Sequence, residues 1–298
     1  MSVSRQFKTL IPVLLAICGS TISFADEANK TIEVADIGLA TPESVEYYAK
    51  EDVYLVTNIN GSPFAADGNG FISKLKPDGS VVDLKWIDGT KPGVTLNAPK
   101  GAAIKKNKLY VADINQVHVF ELPSGKQLKS ITIKGSTFLN GITPGGGNYL
   151  YVTDSGFDEG FKPNGTDAIY KVKTNGKYKA IAKGKDMGHP NGVLEDGKKI
   201  LMVTFGSGKL FSYTTSGKET VLPTPPQGSL DGLIKLKDGR IVMSSWAGSA
   251  LYAFNKDKSF SVLAESLDAP ADLGLDTKRN RILVPLFKQN KVVILPIK

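Results

Sequence analysis

Among its 298 residues the sequence has one cysteine and two histidines, so it is poor in the side chains that most often carry zinc or redox chemistry. The cysteine, Cys18, lies in a stretch that reads as a secretory leader: Arg5 and Lys8 precede an apolar run from Leu10 to Ile17, and Ser23-Phe24-Ala25 ends in residues suited to cleavage. Removing residues 1–25 leaves a mature chain, 26–298, with no thiol, which excludes disulfides, thiolate metal ligands and cysteine nucleophiles. A lipid anchor on Cys18 is the alternative, and the bulky Ile17 before it argues against that. Long apolar runs are also missing. The leader's run is too short to cross a bilayer, and no later stretch approaches the roughly 20 apolar residues a membrane helix requires. The expectation is a periplasmic or secreted protein without a membrane span.

Several motifs are lacking too. No glycine-rich phosphate loop opens a helix, and Gly145-Gly146-Gly147 sits between two strand-like runs, where it reads as a turn. There is no Gly-x-Ser-x-Gly elbow and no His-Glu-x-x-His pair. The net charge of +8 falls to +6 once Arg5 and Lys8 are removed. Much of the positive charge lies in short turns such as Lys105-Lys106-Asn107-Lys108 and Thr277-Lys278-Arg279-Asn280-Arg281, scattered as solvated surface and forming no nucleic-acid groove.

What is present is a six-fold internal echo. It reads Pro42-Glu43-Ser44-Val45, Pro99-Lys100-Gly101-Ala102, Leu139-Asn140-Gly141-Ile142, Pro190-Asn191-Gly192-Val193, Leu230-Asp231-Gly232-Leu233 and Pro270-Ala271-Asp272-Leu273. Intervals of 40 to 57 residues between echoes mark a propeller in which each repeat supplies one blade. Each echo, read as a short turn before an innermost strand, is followed by a second strand such as Val152-Thr153-Asp154 and a third such as Ala168-Ile169-Tyr170-Lys171-Val172. Turns such as Thr174-Asn175-Gly176 then lead to a fourth. The sixth repeat has no fourth strand, and Thr31-Ile32-Glu33-Val34-Ala35 has no blade. The expected fold is therefore an all-β, six-bladed β-propeller, one domain over 26–298, its ring closed by the N-terminal strand joining the last blade.

Strand alternation sorts the loops onto two faces. The echoes share an upper face with the long segments Ile59 to Gly70 and Ser155 to Asp167, and long loops on a rigid scaffold commonly carry the site. The varying column of the echo, Glu43, Lys100, Asn140, Asn191, Asp231 and Ala271, then points into one central space. Glu43, Asn140, Asn191 and Asp231 offer two carboxylates and two amide oxygens, a set suited to a hard divalent ion. Calcium fits best, with magnesium, manganese and zinc as alternatives, although two histidines and no mature cysteine argue against zinc in its usual ligand set. The plainer reading is that Asn-Gly and Asp-Gly only start turns; Glu43, which no glycine follows, and the recurrence in one column favour the metal. Lys100 is a candidate for holding a substrate anion or balancing the carboxylates. Asp113 and Asp154, with Asn58, end second strands on the same face and are candidates for orienting substrate, or simply turn caps. His189, two residues before Asn191, is a candidate base, whereas His118 alternates with valines and reads as structural.

These residues resemble the superfamily of gluconolactonase, senescence marker protein (regucalcin) and luciferin-regenerating enzyme. The resemblance spans the mature chain and rests on Pro42-Glu43-Ser44, Asn140-Gly141 followed by Tyr151-Val152-Thr153-Asp154, Pro190-Asn191-Gly192 and Leu230-Asp231-Gly232. It implies a divalent ion at the top of the channel held by Glu43, Asn191 and Asp231, with Asn140 on the metal or the substrate. It also implies metal-assisted hydrolysis of a sugar lactone or similar cyclic ester, with Asp231 or His189 taking a proton from water. Lys100 and the long upper loops depart from the best-known lactonases and leave the substrate open. The competing reading is a non-catalytic propeller that binds a small molecule or a protein above a structural ion. A sugar or quinone oxidoreductase would need a cofactor pocket that the sequence does not reveal.

Overall fold

Runs of β-branched and aromatic residues between glycine and asparagine turns form six four-stranded antiparallel sheets and no helix among the described residues. The computed structural model describes Met1 and residues 30–297; apart from Met1, the expected leader lies outside the described residues. The unit Thr31–Lys298 carries the whole ring, which bears out the propeller.

The innermost strands of blades one to five are Pro42–Tyr48, Pro99–Lys105, Leu139–Pro144, Pro190–Asp196 and Leu230–Lys235. Blade six has a shorter one, Gly274–Asp276, followed by Arg281–Leu286 and Lys291–Pro296. Its fourth strand is Ile32–Val34, which pairs antiparallel with the last strand in the register Ile32 to Ile294 and Val34 to Val292. The N-terminal strand therefore closes the ring as expected. Between blades six and one the Asp272 amide donates to Glu43 O (2.9 Å), and Arg279, paired with Asp276 of its own blade (3.0 Å), binds Asp52 (2.6 Å).

Six apolar clusters fill the six blade-to-blade interfaces, so the core lies between sheets and not within one layer. Middle strands such as Val53–Asn58 and Arg281–Leu286 are buried along their whole length, while the outer strand Val81–Asp88 is largely exposed at its start.

The echo itself is not a turn. In blades one to five it is a β-bulge at the start of the innermost strand: pairing with the second strand breaks between Pro42 and Val45, Pro99 and Ala102, Leu139 and Ile142, Pro190 and Val193, and Leu230 and Leu233. A bulge leaves residues unpaired and re-aims their side chains. The glycine of the echo has a separate reason. A Cβ at Gly101, Gly141 or Gly192 would come within 2.3–2.6 Å of the carbonyl of Asn140, Asn191 or Asp231 in the following blade. Glycine there lets neighbouring inner strands touch backbone to backbone. Where blades six and one meet, Ser44 and Asp272 replace the glycine, and Ser44 Oγ donates to Asp272 Oδ2 at 2.9 Å.

Gly192→Ala is therefore expected to destabilise the fold by about 1–3 kcal/mol, the usual cost of overpacking, whereas Gly184→Ala, where a Cβ meets nothing within 4 Å, should be close to neutral. Thermal melts of the two variants check this, and equal melting temperatures would remove the contact argument.

Candidate active site

Each bulge aims one side chain at the axis, and the neighbouring blade fixes the backbone beneath it. Hydroxyls on second strands reach across to the next echo: Thr57 Oγ1 donates to Lys100 O (2.9 Å), Thr153 Oγ1 to Asn191 O (2.6 Å) and Ser244 Oγ to Ala271 O (2.8 Å). The column is thus held from outside by buried hydrogen bonds.

Glu43, Lys100, Asn140, Asn191 and Asp231 together line one cavity of about 280 Å³ at the upper end of the channel. All five are buried, none more than 6 % exposed. Glu43 Oε2, Asn140 Oδ1, Asn191 Oδ1 and Asp231 Oδ1 are buried and have no hydrogen-bond partner. Buried polar atoms are nearly always paired, so four orphaned oxygens around one cavity mark a place for a ligand that accepts lone pairs. The orientation of Asn140 is set, because its Nδ2 donates to Ser155 Oγ (3.2 Å), which in turn donates to Pro190 O (2.6 Å). Among the described residues no group of three or more His, Cys, Asp and Glu side chains forms a metal cluster. The column differs in kind, with two carboxylates and two amides, a donor set that suits a hard divalent cation.

The electrostatics agree. Burial first, then Asp231 and Asp272, push the Glu43 carboxyl well above its ordinary value, against the lowering influence of Lys100. Burial and Asp272 do the same to Asp231. Trp246 and Asn191 lie near enough to Asp231 to pull its pKa part of the way back, but neither makes a hydrogen bond of good geometry to Oδ1. One layer below, burial raises Asp272 to about 7, and burial with Asp272 raises Glu46 to about 8. Lys100 Nζ donates to Pro63 O (3.0 Å) and Ala98 O (3.1 Å) and sits 4.2 Å from the centre of the Phe138 ring. Burial lowers it to about 8, while Asp113, Glu43 and Asp154 favour its charge.

Three other candidates fall elsewhere. Asp113 accepts the amides of Asn97 (2.6 Å) and Ala98 (2.9 Å) and pairs with His118 Nε2 (3.0 Å). Asp154 accepts from the amides of Thr137, Phe138 and Gly156. Neither lines the cavity; both are turn caps, and His118 is structural, its Nδ1 lying 2.8 Å from Ser130 Oγ. His189 is also outside. Its Nδ1–H donates to Ser155 O (2.8 Å) and its ring stacks on Phe157 at 4.1 Å, so it supports the cavity wall from behind.

The aromatic lining is absent from the sequence reading. Phe205, Trp246 and Phe287 follow directly on the second strands of blades four, five and six, and Phe138, Phe157 and Phe161 face the same cavity from blade three. A second repeat column, Ile59, Ile114, Ser155, Phe205, Trp246 and Phe287, carries that signal, turning aromatic over half the ring. Phe157 and Phe161 ride on a small hairpin, Phe157–Asp158 with Lys162–Pro163, inside a segment expected to be irregular.

No protein-family model and no curated protein matches the chain. Solved structures share its fold. A gluconolactonase from Xanthomonas campestris is 15 % identical, with 93 % of each chain covered and a TM-score of 0.71. Virginiamycin B lyase from Staphylococcus aureus is also 15 % identical, covering 90 % of this chain and 99 % of that one with a TM-score of 0.63. A chain of the nidogen/laminin complex is 16 % identical over 75 % of this chain and 78 % of its own, with a TM-score of 0.59. A hydrolase, a lyase and a protein of a protein–protein complex share this architecture, so the likeness establishes the fold, and function must be argued from the site.

The raised carboxyls carry a pH dependence. In the folded, chelator-treated protein they hold protons that the unfolded chain has released, so their contribution to stability is full below the ordinary carboxylate range and lost as pH rises through the folded values, near 7 for Asp272. The melting temperature in chelator is expected to fall between pH 5 and pH 8, and Asp272→Asn should flatten that fall. Parallel curves for the two proteins would contradict the assignment.

Proposed function

We propose that the chain is a divalent-cation-dependent hydrolase of cyclic esters, a lactonase, acting at the upper end of its central channel. The observation that carries this reading is the set of four buried, unpartnered oxygens, Glu43 Oε2, Asn140 Oδ1, Asn191 Oδ1 and Asp231 Oδ1, around one cavity. The resemblance of the echo residues to the gluconolactonase superfamily supports it.

These four oxygens would hold the ion, with calcium the best match to a carboxylate and amide set and magnesium or manganese next. When bound, the ion supplies Lewis acidity toward the ester carbonyl and toward water. Of the two candidate bases, Asp231 would take the proton of an attacking water, since His189 is turned toward Ser155 O and shielded by Phe157. Two of the three Lys100 N–H donors are committed to Pro63 O and Ala98 O, which leaves one for a substrate oxygen. The aromatic wall excludes water from the reacting ester and strengthens these interactions. The leader-like residues 1–25 suit a site of action outside the cytoplasm.

Calorimetric titration of the chelator-stripped protein with calcium should give one tight site, lost in Asp231→Ala. Hydrolysis of a lactone by the calcium-loaded protein should fall by about 100-fold or more in the same variant, the scale on which electrostatic stabilisers of a transition state act. A folded wild type that binds no divalent cation would overturn the mechanism; calcium binding with no turnover of any lactone would leave a ligand-binding propeller with a structural ion.

A further inference from the structure

We infer that the substrate of this site is a cyclic ester bearing an alkyl or aryl substituent, and not a polyhydroxylated sugar lactone; this deepens the hydrolase reading above and rests on it for the ester. The cavity is polar mainly at its floor. Above the ligand column two aromatic groups face it from different blades. Trp246 has Phe205 and Phe287 against it, with ring centres 5.2 and 5.1 Å away. Phe157 and Phe161 pack on Phe138 at 5.8 and 6.1 Å. Ile59 and Pro63 complete the wall between the floor and the mouth.

The hydrogen-bonding capacity of that wall is small. It consists of Trp246 Nε1, buried and without a partner; the column below adds one remaining Lys100 donor. Both are donors, and the acceptors in the cavity are the column oxygens that the ion would occupy. A sugar lactone carries several hydroxyls, each both donor and acceptor. Stacked on an aromatic face it would still have to desolvate those hydroxyls against rings that cannot pair with them, and an unpaired buried hydroxyl is costly. An alkyl or aryl substituent meets no such penalty and removes its own apolar surface from water.

The volume limits the substituent. At about 280 Å³ the cavity lies just below the usual range for small-molecule sites, room for one ring and a short chain. Phe161 is 49 % exposed at the tip of the blade-three hairpin, where a longer chain would leave the cavity along its ring.

The test separates this inference from the hydrolase reading by using a binding readout as well as turnover. The chain has two tryptophans, so in a Trp86→Phe background the fluorescence of Trp246 reports occupancy directly. With the calcium-loaded protein, 2-pentylcyclopentanone, which has the ring and tail but no ester, is expected to shift that emission with a Kd at least tenfold below that of myo-inositol. Phe287→Gln and Phe161→Ser, two independent changes on opposite walls, should each weaken it about tenfold. In turnover, kcat/KM should rise roughly tenfold for each two carbons added from δ-hexalactone to δ-decalactone, in line with the transfer free energy of buried methylenes, and should be lowest for glucono-δ-lactone. Binding of the ketone without turnover of any lactone would uphold the apolar site while removing the hydrolase. Glucono-δ-lactone hydrolysed as efficiently as δ-decalactone, or inositol binding as tightly as the ketone, would overturn the inference and leave the hydrolase standing.

Discussion

The structure depends on how closely its six inner strands approach one another around the axis. Gly101, Gly141, Gly192 and Gly232 permit backbone to lie on backbone, and any side chain there would collide with the next blade. Where blades six and one meet, Ser44 and Asp272 substitute a hydrogen bond for the missing glycine. The bulge in each of blades one to five leaves a neighbouring residue unpaired and turned inward. A ring packed this tightly therefore presents a column of side chains to its own centre whether or not the column has a function.

What the column contains is not explained by packing. Two carboxylates converge at the top of the channel with Asp272 beneath them, and burial drives all three toward their neutral forms. A scaffold selected for stability alone would place apolar residues there, as blade six does with Ala271, which is buried. Lys100 supplies one positive charge, but it is bound to two backbone carbonyls and not to the carboxylates. Four oxygens remain without donors, and the divalent cation proposed above would satisfy them all while offsetting two negative charges.

The aromatic wall and the polar floor come from different layers of the same repeat. The floor is the echo at the start of each inner strand; the wall follows the end of the second strand, one layer higher. Under the proposed reading, splitting chemistry and selectivity between two columns would let a propeller change its substrate while keeping its ion site. It also accounts for the position of His189, whose ring serves the wall by stacking on Phe157 and takes no part in the floor.

The sequence by itself determined the blade count, the closure by residues near Thr31, and the four oxygen-bearing residues of the column. Repetition made these legible: a feature that recurs at one register in every blade must occupy equivalent places in space. Repetition could not show that the echo is a bulge and not a turn, since both use glycine and asparagine and differ only in what the strand pairs with. Nor could it separate Asp113 and Asp154 from the site, because a carboxylate at a strand end looks the same in sequence whether it faces a channel or caps an adjacent loop. Those two were decided by the backbone amides that the folded chain brings to them. The aromatic cavity was likewise decided only in three dimensions, where rings from four different blades converge around a space that no single segment encloses.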